Sequence, residues 1–565
     1  MVSITIVSFF LLSARLAMAL DNMPPDGSVK NLFPLTLIHI NDFHARYEET
    51  TLKSKVCPAK DYNTGKCIAG IARVYYMIKK LLNDYKQLNP IYLNAGDNYQ
   101  GTLWYNLLRW EVTAEFIKKL KPSVMTFGNH EFDHGLKGLK PYLDELEKAN
   151  IQTVIANMNL NKDKELSQSK LPKSTVLTVN GQKIGVIGVL YDKTHEVAQT
   201  GGVTFYSSVN AVKSEAAALK QKGIKIIVVL SHCSLDEDKK IAREAGNDID
   251  VIVGAHSHSF LYSKESKMPY DKKNDVIEGP YPVLVENGAK RKVLIVQAKA
   301  YGKYVGRLTL YFDQDGNVKH WEGFPVFING SVPQDPSVAK DMIRWREKVQ
   351  EIGSTVIGRT EVELERDPCR DRECTLGVVV ADAFADHYTN QTFKPIAFIQ
   401  AGNFRNPIEK GDITNGDIIE AAPFGSTVDL IKIKGQNIWD AAEHSYTWDD
   451  ENRTNCLQVS GLRIVIDANK EFYKRVVSIQ VRGYRSPKQE TYQKLDPKAE
   501  YYVALPSYLA DGKDGFVALS KSLARWKGPL DSDVFKAYVQ KVRVIKNLSL
   551  GRVEIRGKTN ISRRK

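Results

Sequence analysis

From residue 36 to about residue 330, short aliphatic and β-branched runs alternate with amphipathic stretches. Leu35-Thr36-Leu37-Ile38-His39-Ile40, Ile91-Tyr92-Leu93, Ile184-Gly185-Val186-Ile187-Gly188-Val189, Ile224-Lys225-Ile226-Ile227-Val228-Val229-Leu230 and Val251-Ile252-Val253 read as buried strands. Between them, Ala72 to Tyr85 and Val209 to Lys222 carry apolar residues at helical spacing. Strand and helix in alternation predict an α/β domain, whose ligands gather at the carboxyl ends of the strands.

The pattern breaks at Asn329-Gly330-Ser331-Val332-Pro333. A polar helical segment, Ser337 to Ile352, follows, with Gly353 as its stop. Beyond Thr355 the chain mixes helices such as Gly377 to Thr389 with strands such as Leu462 to Asp467. The expected partition is a leader (1–19), a first domain (20–330), a linking helix (331–354), a second domain (355–555) and a basic tail (556–565). A length of 565 residues accommodates this comfortably.

The leader is expected because Ile4 to Ala14 is mostly apolar and Ala17-Met18-Ala19 has the form of a cleavage site. The apolar run is too short to span a bilayer core of about 30 Å. The C-terminus ends in Gly557-Lys558-Thr559-Asn560-Ile561-Ser562-Arg563-Arg564-Lys565, with no hydrophobic tail. The expectation is a secreted, extracellular glycoprotein without a membrane anchor, working as a monomer. Glycosylation triplets begin at Asn329, Asn390, Asn452, Asn547 and Asn560. Export also predicts local disulfides between Cys57 and Cys67 and between Cys369 and Cys374, leaving Cys233 and Cys456 to pair or stay free. The formal charge of +13 is spread along the chain. Without a nucleic-acid recognition motif, it points to a small anionic substrate or to solubility.

Five polar clusters follow the hydrophobic runs: Asn41-Asp42-Phe43-His44, Gly96-Asp97-Asn98, Gly128-Asn129-His130-Glu131-Phe132-Asp133-His134, Ser231-His232 and Gly254-Ala255-His256-Ser257-His258. A single histidine after a strand is usually structural. Asp, Asn and His at successive strand ends instead suit a pair of divalent cations that clamp a phosphoryl group and activate water. Mixed imidazole and carboxylate donors favour Zn, Mn or Fe. Zinc is expected, with Mn, Ca or Mg as alternatives. Asp42 and His44 are two residues apart, as are His256 and His258, so each pair can point the same way. Asp97 is the candidate bridge, Asn129 offers a neutral oxygen, and His232 completes the second set.

On these clusters the chain resembles the 5′-nucleotidase/apyrase family, and within it the secreted salivary apyrases of blood-feeding arthropods. The resemblance implies a four-layer calcineurin-like metallophosphoesterase domain (a β-sandwich flanked by helices) joined by a helix to a C-terminal α/β 5′-nucleotidase domain. It implies one metal held by Asp42, His44, Asp97 and His258, and another by Asp97, Asn129, His232 and His256. Relatives often carry Gln or Asn where this chain has His258. His130 and Asp133 resemble the family's catalytic dyad: the imidazole stabilises charge developing on the phosphoryl oxygens, and the carboxylate orients it. The alternative for Asp133 is a cap on the next helix.

The second domain is expected to hold the nucleotide. By resemblance, Arg370 and Arg405 bind anionic groups with help from Arg46, because guanidinium forks match phosphate oxygens. Gln400 and Asn403 belong to the same loop, where Ala401-Gly402-Asn403 replaces a run of glycines found in relatives. Phe424 and Tyr508 match two base-stacking positions, Tyr508 replacing a common Phe, and Asp514 meets the ribose. The resemblance further implies rotation of the second domain about the linking helix, hinged near residues 352–356. The expected activity is hydrolysis of ATP and ADP to AMP, which would inhibit host platelet aggregation. The alternatives are cleavage of AMP to adenosine and a non-catalytic nucleotide- or receptor-binding protein.

Overall fold

The computed structural model describes residues 29–557 apart from 63, 161–163, 165, 391, 392, 448–454, 487, 488 and 547. The leader, most of the basic tail and the triplets at Asn452, Asn547 and Asn560 lie outside the described residues. The chain divides into two compact units, one of residues 1–99, 110–195 and 200–342, the other of residues 100–109, 196–199 and 343–565.

In the first unit the predicted buried strands enter two six-stranded sheets. One is ordered Val318–Phe327, Tyr304–Phe312, Phe33–Ile40, Pro90–Asn94, Val124–Met125, Gln152–Thr153. Its last four strands are parallel, with Ile38 beside Tyr92 and Leu93 beside Val124. The other is ordered Val283–Glu286, Lys292–Val296, Val251–Val253, Ile226–His232, Gln182–Leu190, Ser174–Val179, and its central four strands are parallel. Leu35, Leu37, Leu93 and Val124 of the first sheet share one core with Val186, Val228, Ile252 and Leu294 of the second. The sheets therefore pack face to face. Leu37 is fully buried there, and truncating it to Ala costs about 2–5 kcal/mol.

Helices form where apolar residues recur on one face. Ile71, Val74, Ile78 and Leu81 are the buried stripe of Ile71–Asp84. Ser207 and Ser234 cap Ser208–Gln221 and Leu235–Glu244, each accepting from a backbone N–H three residues on. Parallel strands put the loops that follow them at one edge of each sheet.

The second unit has a five-stranded sheet ordered Leu457–Ser460, Ile396–Gln400, Glu500–Pro506, Val428–Lys434, Ala524–Trp526. Leu376, Val380 and Phe384 of helix Thr375–His387 share its core with Phe398 and Val459. A three-stranded and a four-stranded sheet complete the unit. The polar segment after the break forms the helix Pro336–Gly353.

Both local disulfides are present, Cys57–Cys67 and Cys369–Cys374, while Cys233 and Cys456 are buried free thiols. Asn329 is half-buried and Asn390 exposed. Among the described residues no helix is long and apolar enough to cross a membrane.

Candidate metal centre and nucleotide-binding residues

Asp42 and His44 follow strand Phe33–Ile40, Asp97 follows Pro90–Asn94, Asn129 follows Val124–Met125, His232 ends Ile226–His232, and His256 and His258 follow Val251–Val253. The backbone turns sharply at these strand ends. Asp42, His44, Asp97, His256 and His258 all have φ between 50° and 72°. Non-glycine residues rarely adopt this conformation, and such outliers cluster at functional sites.

The turns bring ligand atoms together. Those of Asp42, His44 and His258 lie within 4.8 Å of one another, as do those of Asp97, His232 and His256, and those of His44, Asp97 and His130. His44 Nε2 is 3.0 Å from His258 Nε2 and 3.8 Å from Asp97 Oδ2. His258 Nε2 is 3.3 Å from Asp42 Oδ1, and His232 Nε2 is 3.1 Å from Asp97 Oδ2. A Cβ on Gly128 would meet Asp97 Oδ1 at 2.1 Å and His232 Nε2 at 2.5 Å, so only glycine lets the Asn129 loop approach this closely.

The donor set fits cations. His44 Nδ1 faces the Tyr99 carbonyl at 3.2 Å and His232 Nδ1 faces the Ala95 carbonyl at 2.8 Å. A carbonyl accepts only from N–H, so each Nδ1 carries a proton and each Nε2 is the remaining ligand atom. Asn129 Oδ1 is buried without a hydrogen-bond partner. Burial would raise the Asp42 carboxyl, yet His258 and His232 hold it at about 2. Burial lowers His232, but Asp97 and then Asp42 lift it to about 9. Two buried carboxylates that recruit positive charge in this way suit divalent cations.

His130 lies beside this group. Its backbone N–H donates to Asp97 Oδ1 at 2.9 Å, and its ring Nδ1 meets Asp133 Oδ2 at 2.9 Å. Burial opposes protonation, but Asp133 and then Asp97 raise the imidazole to about 10. The helix after it, Gly135–Lys148, has His134 at its N-cap, so Asp133 is not the cap. Arg46 donates to the His44 carbonyl at 3.0 Å, with its guanidinium 4.8 Å from the centre of the Tyr301 ring.

Several supporting residues carried no role in the sequence reading. Glu131 is fully buried and accepts from the N–H groups of Gly128, Asn98 and Asp97 at 2.6, 2.7 and 3.1 Å. Burial, then Asp97, raises its carboxyl to about 7. Asn41 donates to Asp42 Oδ2 at 2.7 Å and accepts from Ala298 N–H at 2.9 Å. Ser231 donates to Asp238, Gln297 accepts from Ser259 N–H, and Tyr191 stacks on His256. Glu131, Asn41 and Ser231 stood inside the clusters already singled out; Asp238, Gln297 and Tyr191 offered no local signal.

In the second unit, Arg370 ends the turn Asp367–Arg370 and Arg405 follows Ile396–Gln400. Burial, then repulsion from Arg366 and Arg370, lowers the Arg405 guanidinium. Three like charges are thus gathered in one place, Arg366 being a member the sequence reading missed. The Arg405 guanidinium lies 4.2 Å from the centre of the Phe424 ring. Gln400 and Asn403 are buried, and Asn403 Nδ2 donates to Asp531 Oδ2 at 3.3 Å. Phe424 and Tyr508 are 43% and 41% exposed. Tyr508 donates its hydroxyl to Asp514 Oδ1 at 2.8 Å.

Paired sheets with an Asp, His and Asn cluster at their strand ends define a metallophosphoesterase. The family model "Calcineurin-like phosphoesterase" matches residues 35–260, and "5'-nucleotidase, C-terminal domain" matches residues 356–521. The chain is 67% identical to an apyrase of Aedes albopictus over 97% of its own length and 96% of the relative's. It is also 67% identical to an apyrase of Aedes aegypti, over 96% and 95% respectively. Among solved structures, a 5'-nucleotidase precursor from Thermus thermophilus superposes with TM-score 0.60 at 31% identity, covering 93% of this chain and 100% of that one. The chain belongs to the 5′-nucleotidase/apyrase family, and it is a metal-dependent phosphohydrolase.

Proposed function

We propose that this chain is a secreted apyrase that hydrolyses ATP and ADP to AMP and phosphate, and that its seven clustered strand-end residues hold two divalent cations. Asp42, His44, Asp97 and His258 would hold one, and Asp97, Asn129, His232 and His256 the other. When bound, the cations supply Lewis-acid charge and lower the pKa of water. Zinc suits this imidazole-rich set, with Mn, Ca or Mg as alternatives.

The chain's own groups do the rest. His130, whose protonated form is favoured by Asp133 2.9 Å from its ring, donates a hydrogen bond to the phosphoryl oxygens as their charge grows. Asn41, Glu131 and the carbonyls of Tyr99 and Ala95 fix the ligands in place, so little reorganisation remains at the moment of reaction. In the second unit, Arg366, Arg370 and Arg405 offer guanidinium forks to phosphate oxygens. Phe424 and Tyr508 offer exposed ring faces to the base and Asp514 an acceptor to the sugar. Stacking is worth about 1–3 kcal/mol per ring by analogy with nucleic acids. Gln400, Asn403 and Arg46 complete the substrate contacts in this reading.

The observation that carries the chemistry is the convergence of the ligand atoms around Asp97. The likeness to mosquito apyrases supports ATP and ADP as substrates, and blood-feeding relatives fit removal of the ADP that recruits host platelets. A second reading, cleavage of AMP to adenosine, draws on the Thermus 5'-nucleotidase precursor. Incubating the protein separately with ATP, ADP and AMP, and following phosphate and nucleotide products, distinguishes them. Accumulation of AMP supports the proposal; rapid conversion of AMP to adenosine supports the second reading.

A further inference from the structure

The second unit holds Asp514 from two sides. Its carboxylate accepts from the Tyr508 hydroxyl at 2.8 Å, and its carbonyl is 2.7 Å from His444 Nε2, which must therefore carry a proton. Asp514 sits at φ 50° in the turn Lys513–Gly515, and a Cβ on Gly515 would come within 2.5 Å of the His444 ring. The turn is thus seated on one imidazole and tied at its tip to one phenol. Burial, then Asp514, pushes the Tyr508 phenol up to about 12, so it stays a donor at neutral pH.

Tyr508 belongs to a different element, the short helix Ser507–Ala510. A phenylalanine at 508 could present the same ring face but could not hold Asp514. The hydroxyl fixes the ring and the carboxylate relative to each other before any ligand arrives, which reduces the ordering cost of binding.

We propose that the Tyr508 hydroxyl is a positioning group that joins base recognition and sugar recognition into one preorganised unit. This rests on the reading of Phe424, Tyr508 and Asp514 as the nucleoside-binding residues. Tyr508 takes Oδ1 of Asp514, which directs Oδ2 toward a sugar hydroxyl. The tyrosine therefore sets affinity and sugar selectivity while the phosphate chemistry proceeds elsewhere.

The test is steady-state kinetics of Tyr508→Phe, Asp514→Ala and the double variant on the metal-loaded full chain, with ADP and 2′-deoxy-ADP. Losing one such hydrogen bond raises KM for ADP about threefold to tenfold, with kcat within about twofold of the parent. The same Tyr508→Phe change made in the Asp514→Ala background has no further effect on KM, because the partner is gone. The ratio of KM for 2′-deoxy-ADP to KM for ADP also changes in Tyr508→Phe. An unchanged KM in Tyr508→Phe, or an equal effect in both backgrounds, overturns the proposal. If Asp514→Ala and Phe424→Ala raise KM while Tyr508→Phe does not, only the coupling fails. If neither raises KM, the nucleoside-binding reading fails with it. Asp514→Ser replaces Asp514→Ala should the latter not fold.

Discussion

His130 Nδ1 meets Asp133 Oδ2 at 2.9 Å, a contact between residues one helical turn apart at the edge of the metal-ligand cluster. It holds the ring in one orientation and leaves Nε2–H as the second donor of the imidazolium. Removing the ring should therefore hurt the transition state far more than the ground state. His130→Ala is expected to lower kcat by about 10²- to 10⁴-fold with a small change in KM. Bound-metal content should stay at the parental level. Rapid-quench kinetics together with elemental analysis check both halves.

Glu131 takes backbone N–H groups from Gly128, Asp97 and Asn98, which tie two loops of the ligand shell to one carboxylate. In Glu131→Gln one acceptor oxygen becomes an NH₂ group facing those donors. Leaving a buried donor unpaired costs about 1–3 kcal/mol. We expect a lower Tm and about tenfold to hundredfold weaker metal binding, since ligand-orienting partners have effects of that size. Thermal melts and metal titrations of the variant read these out.

His232 is protonated in the metal-free protein, because Asp97 and Asp42 lift it to about 9 against its burial. A cation at Nε2 must displace that proton. At about pH 7.5, metal loading should release close to one proton from this group, and affinity should fall as the pH is lowered. Calorimetric titration in two buffers of different ionisation enthalpy counts the protons. Equal apparent enthalpies in both buffers would count against a role for His232 as ligand.

Asp531 lies at the other end of a hydrogen bond from Asn403 and is fully buried, which raises its carboxyl to about 7. The sign is opposite to that of a salt-bridged aspartate. The folded state binds the proton more tightly than the unfolded state, so its contribution is fully present below the unfolded pKa of about 4 and is lost as the pH rises through about 7. Asp531→Asn keeps the neutral form at every pH. The Tm of the variant relative to the parent should rise between about pH 4 and pH 7 and level off above. A pH-independent difference contradicts this.

The strand-end ligands could be read from the sequence because each follows an apolar run, and Asp-x-His, Gly-Asp-Asn and Gly-x-His-Ser-His are local patterns. Short separations made Cys57–Cys67 and Cys369–Cys374 equally readable. Glu131 stood in plain view, but its partners are backbone N–H groups, which no side-chain pattern encodes. Gln297 and Asp238 act on Ser259 and Ser231 across the fold, and only tertiary structure reveals them. Arg366 lacked a signal because its place in the guanidinium group depends on how two loops meet. The burial of Gln400 and Asn403 and the reach of Asn403 to Asp531 are tertiary features that their loop sequence does not encode.

The most direct check on the whole account is the number of metal ions per chain in purified, metal-reconstituted protein, measured by mass spectrometry of the elements for the parent and for Asp97→Asn. With Asp97 shared by both sets of donors, the parent should carry two divalent ions and the variant should lose both occupancy and phosphate release. A parent that hydrolyses ADP at full rate with no bound metal, or an Asp97→Asn variant that keeps both ions and full activity, contradicts it.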